Sequence, residues 1–221
     1  VRVDLSRRAE EPELLDIGVP EDEALRSLAD LRFVNRWFGG RRTLIRAALP
    51  HLGGVRSVLD VGCGSCDLTA LLAERAPGAL VVGLDRKFLH VRDAPRGVQP
   101  LVADVERLPF SEGSFDVVTA SLFLHHFDKA ESEALLRSLY ALARRVLIVN
   151  DLCRGRVPYF FGRAFFPLLF SSPVSVNDGL VSIRRAFTRG ELVAALGEAG
   201  IPHPRVASVF PYRLVAVCEK P

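Results

Sequence analysis

Val58-Leu59-Asp60-Val61-Gly62-Cys63-Gly64-Ser65-Cys66-Asp67 decides the fold: an apolar run ends in an acid, passes through Gly-x-Gly and enters an amphipathic stretch. A strand buried in a parallel sheet that turns at once into a helix has this pattern, and glycine lets the backbone approach a ligand with no Cβ in the way. Alone the tripeptide is a weak signal, because it recurs in ordinary loops. The spacing downstream strengthens it. Leu80-Val81-Val82-Gly83-Leu84 is a second buried-strand pattern and ends at Asp85, where a carboxylate can accept paired hydrogen bonds from the hydroxyls of a ribose. A third run, residues 98–102, leads to Asp104, and a fourth, residues 115–120, leads to Ser121. Polar groups thus recur at the carboxyl ends of successive strands, where open α/β sheets bind ligands.

Four separated pieces carry a resemblance: residues 58–67, Val82-Gly83-Leu84-Asp85, residues 103–110, and Gly113-Ser114-Phe115-Asp116-Val117-Val118. In this order they resemble the class I S-adenosylmethionine-dependent methyltransferases, in particular those similar to the ubiquinone and menaquinone biosynthesis methyltransferases. The likeness is strong over residues 55–150 and general outside them. It implies that Gly62 and Gly64 border the methionine part of S-adenosyl-L-methionine, Asp85 the ribose, and Asp104 with Val105 the adenine. Asp60, Cys63, Asp67, Arg86, Ser121 and Leu122 complete the expected cofactor-binding set. Cys66 departs from the family, which often has glycine there; its Cβ either narrows the loop or points away into the sheet. A nicotinamide dinucleotide is the competing ligand, but its fingerprint needs a third glycine where this chain has Asp67. A carboxylate there faces a pyrophosphate with like charge, whereas a sulfonium and an ammonium tolerate it.

The 221 residues, 49% hydrophobic, suit a single methyltransferase domain. Within it the expected parts are a helical cap (1–54), a cofactor-binding core (55–150), a substrate lid (151–187) and a C-terminal helix with an antiparallel strand pair (188–221). A net charge of only +3, with basic residues spread along the chain, argues against nucleic acid as a partner. Cys63 and Cys66 have redox or zinc spacing, but no second pair or suitably spaced histidines accompany them. No metal is expected, since Asp151 and Asp178 are the only obvious acids on the substrate side. Cysteine usage and a charged, mixed N-terminus lead to an expected cytoplasmic location.

Residues 21–31 and 32–49 read as amphipathic helices, interrupted by Gly39-Gly40, with Trp37 and Phe38 as core or pocket wall. Arg36, Arg41 and Arg42 are within reach of a cofactor carboxylate or an acidic substrate, or are simply solvated. Residues 157–170 are densely aromatic and too few to span a bilayer. They are expected to form a lid over an apolar pocket; the alternatives are a helix making transient contact with a membrane surface, or a homodimer contact. Thr188 and Glu191 form a capping-box pattern, and two strands follow around Pro211-Tyr212. The expected fold is α/β, a Rossmann-like seven-stranded mixed sheet with strand 7 antiparallel, helices on both faces and an N-terminal helical cap.

Methyl transfer needs an aligned nucleophile and exclusion of water. A base helps, and the candidates follow strand four: His125 first, His126 second, their side chains pointing differently as neighbours on a turn. Asn150 and Asp151, at the tip of strand five, are expected to face the site, where they bind a substrate hydroxyl or cap the next helix. The expected reaction is methyl transfer to O or C of a hydrophobic phenolic, quinonoid or polyketide-like molecule. The alternative is a non-catalytic adenosine-ligand binding protein of the same fold.

Overall fold

A computed structural model describes residues 3–221. Seven strands form one sheet: β1 (Ser57–Val61), β2 (Leu80–Asp85), β3 (Gln99–Val102), β4 (Phe115–Ser121), β5 (Ala143–Leu152), β6 (Arg205–Val209) and β7 (Arg213–Glu219). Their order is β3-β2-β1-β4-β5-β7-β6; β7 runs antiparallel to β5, and β6 to β7. The first five are parallel and reverse order between β1 and β4, the switch point at which ligands bind in such sheets. This is the expected mixed sheet.

The helices among the described residues are α1 (Leu14–Ile17), α2 (Glu21–Trp37), α3 (Gly40–Ala48), α4 (Asp67–Arg75), α5 (Phe88–Val91), α6 (Lys129–Leu142), α7 (Arg156–Leu169), α8 (Pro173–Arg185) and α9 (Arg189–Glu198). Because successive strand residues point to opposite faces, β1, β4 and β5 build two cores. Leu59, Val118 and Leu147 meet Leu136 of α6 and Leu196 of α9, while Val58, Val117 and Ile148 meet Leu44 of α3 and Leu72 of α4. Thr188 and Glu191 make the capping box of α9 that the sequence announces, and Asp128 with Glu131 makes another for α6.

Two parts of the cap differ from expectation. The helix beginning at Glu21 does not break after Leu31 but continues to Trp37, where Gly39 takes a left-handed φ of 81°. That extra turn carries Trp37 into solvent, 65% exposed, so it is neither core nor pocket wall. Phe38 packs edge-on against Phe161 of α7.

The N-terminal helices and the segment expected to form a lid are joined by hydrogen bonds. Asp30 of α2 accepts from the amides of Ser171 and Ser172 and from the Ser171 hydroxyl, at 2.9–3.1 Å. Asp178 of α8 accepts from the amides of Leu14 and Leu15. Of residues 157–170 all but Phe170, the extended C-cap, are helical within α7, which packs on α8 with Pro158, Tyr159 and Gly162 buried. Val157, Phe160, Phe161, Phe165 and Leu168 form an exposed apolar stripe on its outer side. No helix among the described residues is long and apolar enough to cross a membrane.

Candidate active site

A cavity of about 610 Å³ lies beyond the carboxyl ends of β1, β2 and β4, within the size range of small-molecule sites. Its floor is the loop between β1 and α4. Gly62 takes a φ of 65°, and a Cβ there would fall 2.1 Å from the Phe123 ring. Asp85 at the end of β2 accepts from the amides of Gly64 (3.1 Å) and Lys87 (2.9 Å), and the His90 ring lies 3.1 Å away. Burial alone would raise its pKa; His90 and the two amides outweigh burial and hold the carboxyl below its ordinary value.

The doubt over Cys66 is resolved by its direction. Its φ is 57°, left-handed like the glycines around it, and the side chain is fully buried away from the cavity. Sγ packs with Cys63, Val91 and Val98, and a Cβ on Gly83 of β2 would approach it to 2.9 Å. The loop is therefore not narrowed on its ligand side.

Of the residues expected to meet the cofactor, Gly62, Gly64, Asp85, Arg86, Asp104, Val105 and Leu122 line the cavity. Cys63, Asp67 and Ser121, with Asn35, line a void of about 30 Å³ that shares Gly62 and Leu122 with it. Ser121 Oγ and Asn35 Oδ1 are buried there with no hydrogen-bond partner among the described residues. Arg41 reaches Asp67 at 3.7 Å, whereas Arg36 and Arg42 are exposed. The Asp104 carboxylate is turned to its own backbone, accepting from the amide of Glu106 at 3.0 Å.

Asp60 sits deepest, 1% exposed, with its oxygens bonded to Thr69 and Thr119 at 2.6 Å. Desolvation, helped by the nearby Asp67, raises its pKa to about 6 against the opposing threonine bonds. The folded state therefore favours neutral Asp60, and its stabilising share is complete below the unfolded value of 3.8 and lost as pH rises to about 6. The loss is on the order of 3 kcal/mol. Asp60→Asn is expected to remove this dependence: in denaturant melts, the stability of the variant relative to wild type rises between about pH 4 and pH 6 and then levels off. Parallel profiles would show that Asp60 is ionised throughout.

The opposite wall is polar at one corner and aromatic beside it. The 3₁₀ turn Leu124–His126 does not send its two histidines apart as expected; the rings stack, centroids 4.4 Å apart, and both line the cavity. His125 Nδ1 lies 2.7 Å from Asp151 and its Nε2 3.3 Å from Glu13. Burial would lower its pKa, but these carboxylates raise it to about 10. His125 in this setting holds its proton and is not the free base expected. His126 Nδ1 lies 2.6 Å from Asp16, which Arg86 also meets at 2.8 Å. Asn150 does not reach the cavity: it is fully buried, with Nδ2 3.5 Å from the carbonyl oxygen of Gly40. Strand alternation turns Asn150 away from the side on which Asp151 supports His125.

Glu13 and Asp16, absent from the expected site, are supplied by the α1 segment. Their spacing of three was the available signal, since it places both acids on one side of a helical turn. Phe127, Phe166 and Phe170, with the aliphatic Ile183, form the apolar wall.

This fold, with a glycine cradle at the switch point and an acid ending β2, is that of the class I S-adenosylmethionine-dependent methyltransferases. Residues 58–145 match the family model described as a methyltransferase domain. The chain is 37% identical over 112 residues to a demethylmenaquinone methyltransferase of Thermus thermophilus, 48% of each protein. It thus spans about half the length of that curated relative. Among solved structures, a SAM-dependent methyltransferase from Aquifex aeolicus superposes with a TM-score of 0.66 at 17% identity, covering 91% of this chain and 99% of that one. The magnesium protoporphyrin IX methyltransferase of Synechocystis, with bound SAH, gives 0.57 at 22% identity over 82% of both chains.

Proposed function

We propose that the protein transfers a methyl group from S-adenosylmethionine to O or C of a hydrophobic small molecule of phenolic, quinonoid or polyketide-like character. The observation that carries this reading is that one cavity joins the glycine cradle to an aromatic chamber, with the histidine corner between them. The chain's residues fit the methyl donor. Asp85 supplies a carboxylate for ribose hydroxyls, Val105 and Ala103 an apolar surface for adenine, and Asp67, Asn35 and Ser121 polar atoms for the amino-acid end. When bound, S-adenosylmethionine supplies an electrophilic methyl group on sulfur.

The remaining work belongs to the chamber. Phe166 and Phe170 would hold the acceptor flat and displace water, and positioning of this kind accounts for much of the rate in reactions that need little covalent help. The corner of Glu13, Asp16, His125 and His126 would orient an acceptor hydroxyl by hydrogen bonding, with its oxygen turned toward the methyl group.

Calorimetric titration with S-adenosylmethionine and S-adenosylhomocysteine tests the donor half. Absence of heat and of any thermal shift with both would remove it. Incubation with labelled donor and a panel of phenols, quinones and alkylresorcinols tests the acceptor half, with mass spectrometry locating the methyl group. Donor binding without transfer to any of them would leave a binding protein.

A further inference from the structure

We infer that Glu13, His125 and His126 form a site for one divalent transition-metal ion, zinc being the ion that the donor set suits best. Their ligand atoms all lie within 4.8 Å of one another. The two oxygens of Glu13 are 3.3 Å from His125 Nε2 and 3.9 Å from His126 Nε2. Bonds of roughly 2.0–2.2 Å to a tetrahedral ion place neighbouring ligand atoms about 3.3–3.6 Å apart, so small side-chain rotations complete the geometry.

The groups behind the ligands make the stronger argument. Metal-binding histidines nearly always donate the other ring N–H to a carboxylate or carbonyl, and ligating carboxylates are themselves hydrogen-bonded. Both conditions hold here, at all three ligands. Asp151 takes Nδ1 of His125 at 2.7 Å, Asp16 takes Nδ1 of His126 at 2.6 Å, and Ser182 donates to Glu13. Both Nε2 atoms are thereby turned toward the same carboxylate. The frame is fixed as well: Asp178 holds the Leu14 and Leu15 amides beside Glu13, and Arg185 donates to the carbonyls of His125 and His126.

Two imidazoles and one carboxylate with an open fourth position is a common zinc arrangement, and the three ligands all border the cavity. Water or a hydroxyl oxygen of a bound molecule would complete the shell. The ion takes the place of the proton on His125 Nε2, so binding releases protons. None of this depends on methyl transfer, and the test uses no methyl donor.

The full chain, stripped with a chelator, is titrated with zinc chloride by calorimetry and with cobalt chloride by visible absorption. One equivalent is expected, with cobalt bands of a four-coordinate N/O site and no thiolate absorption. Glu13→Gln and His126→Gln should each weaken binding by about 100-fold or more, and Asp16→Asn by roughly 10–100-fold. His51→Gln, near Glu219 instead, should bind as wild type. No saturable binding by the stripped wild type overturns the inference. So does binding that persists unchanged in folded His126→Gln, whose half-buried ring makes it the safer variant should Glu13→Gln fail to fold.

Discussion

Asp85→Ala binds S-adenosylmethionine about 100-fold more weakly than wild type in calorimetric titration. The carboxylate has two jobs under the proposed function. It fixes the cradle through the amides of Gly64 and Lys87, and it borders the cavity where a ribose would offer two hydroxyls. Hydrogen bonds to an ionised group contribute about 1.5–3 kcal/mol each, so losing the pair costs on the order of 3 kcal/mol. That is about two decades in Kd. Asp85→Asn keeps an acceptor and should lose only about tenfold. Wild-type affinity in Asp85→Ala would mean that the donor lies elsewhere.

Asp30→Ala loses about 4 kcal/mol of stability in chemical denaturation. The residue is 6% exposed and accepts from two backbone amides at the start of α8, as well as from the Ser171 hydroxyl. Alanine leaves the buried Ser172 amide without its partner, at about 1–3 kcal/mol, and takes from the exposed Ser171 amide a bond to an ionised group that contributes about 1.5–3 kcal/mol. Asp22→Ala provides the contrast: its bond to Arg26 is an exposed i,i+4 pair, so its removal should change stability by less than about 0.5 kcal/mol. A loss in Asp30→Ala no larger than in Asp22→Ala would show that cap and lid are not joined through this carboxylate.

The sheet and the donor cradle were legible because both are written locally. The central strands are short apolar runs, and Gly62, Gly64 and Asp85 fall where those of β1 and β2 stop. The acceptor side was not, because its polar corner is assembled from distant segments. Glu13 meets His125 only after α1 is pinned to α8 by Asp178. Asn150 was misplaced for a simpler reason: it and Asp151 both mark the end of β5, but only one of two neighbours on a strand can face the cavity. Trp37 continued the helical stripe of Leu28, Leu31 and Val34, which do line the cavity, but the last turn of α2 carries it past the pocket rim.

The cavity is built from two stretches of chain. The cradle, Asp85, Asp104 and Val105 lie within residues 58–145, the part that matches the methyltransferase family, as do His125, His126 and Phe127 of the opposite wall, whereas Glu13, Ser27, Phe166, Phe170 and Ile183 lie outside it. Under the proposed function, a chimera that carries residues 3–54 and 151–187 of a relative on this core would keep the cradle and the histidine pair and exchange Glu13, Phe166, Phe170 and Ile183, so its choice of acceptor would change at a constant donor site.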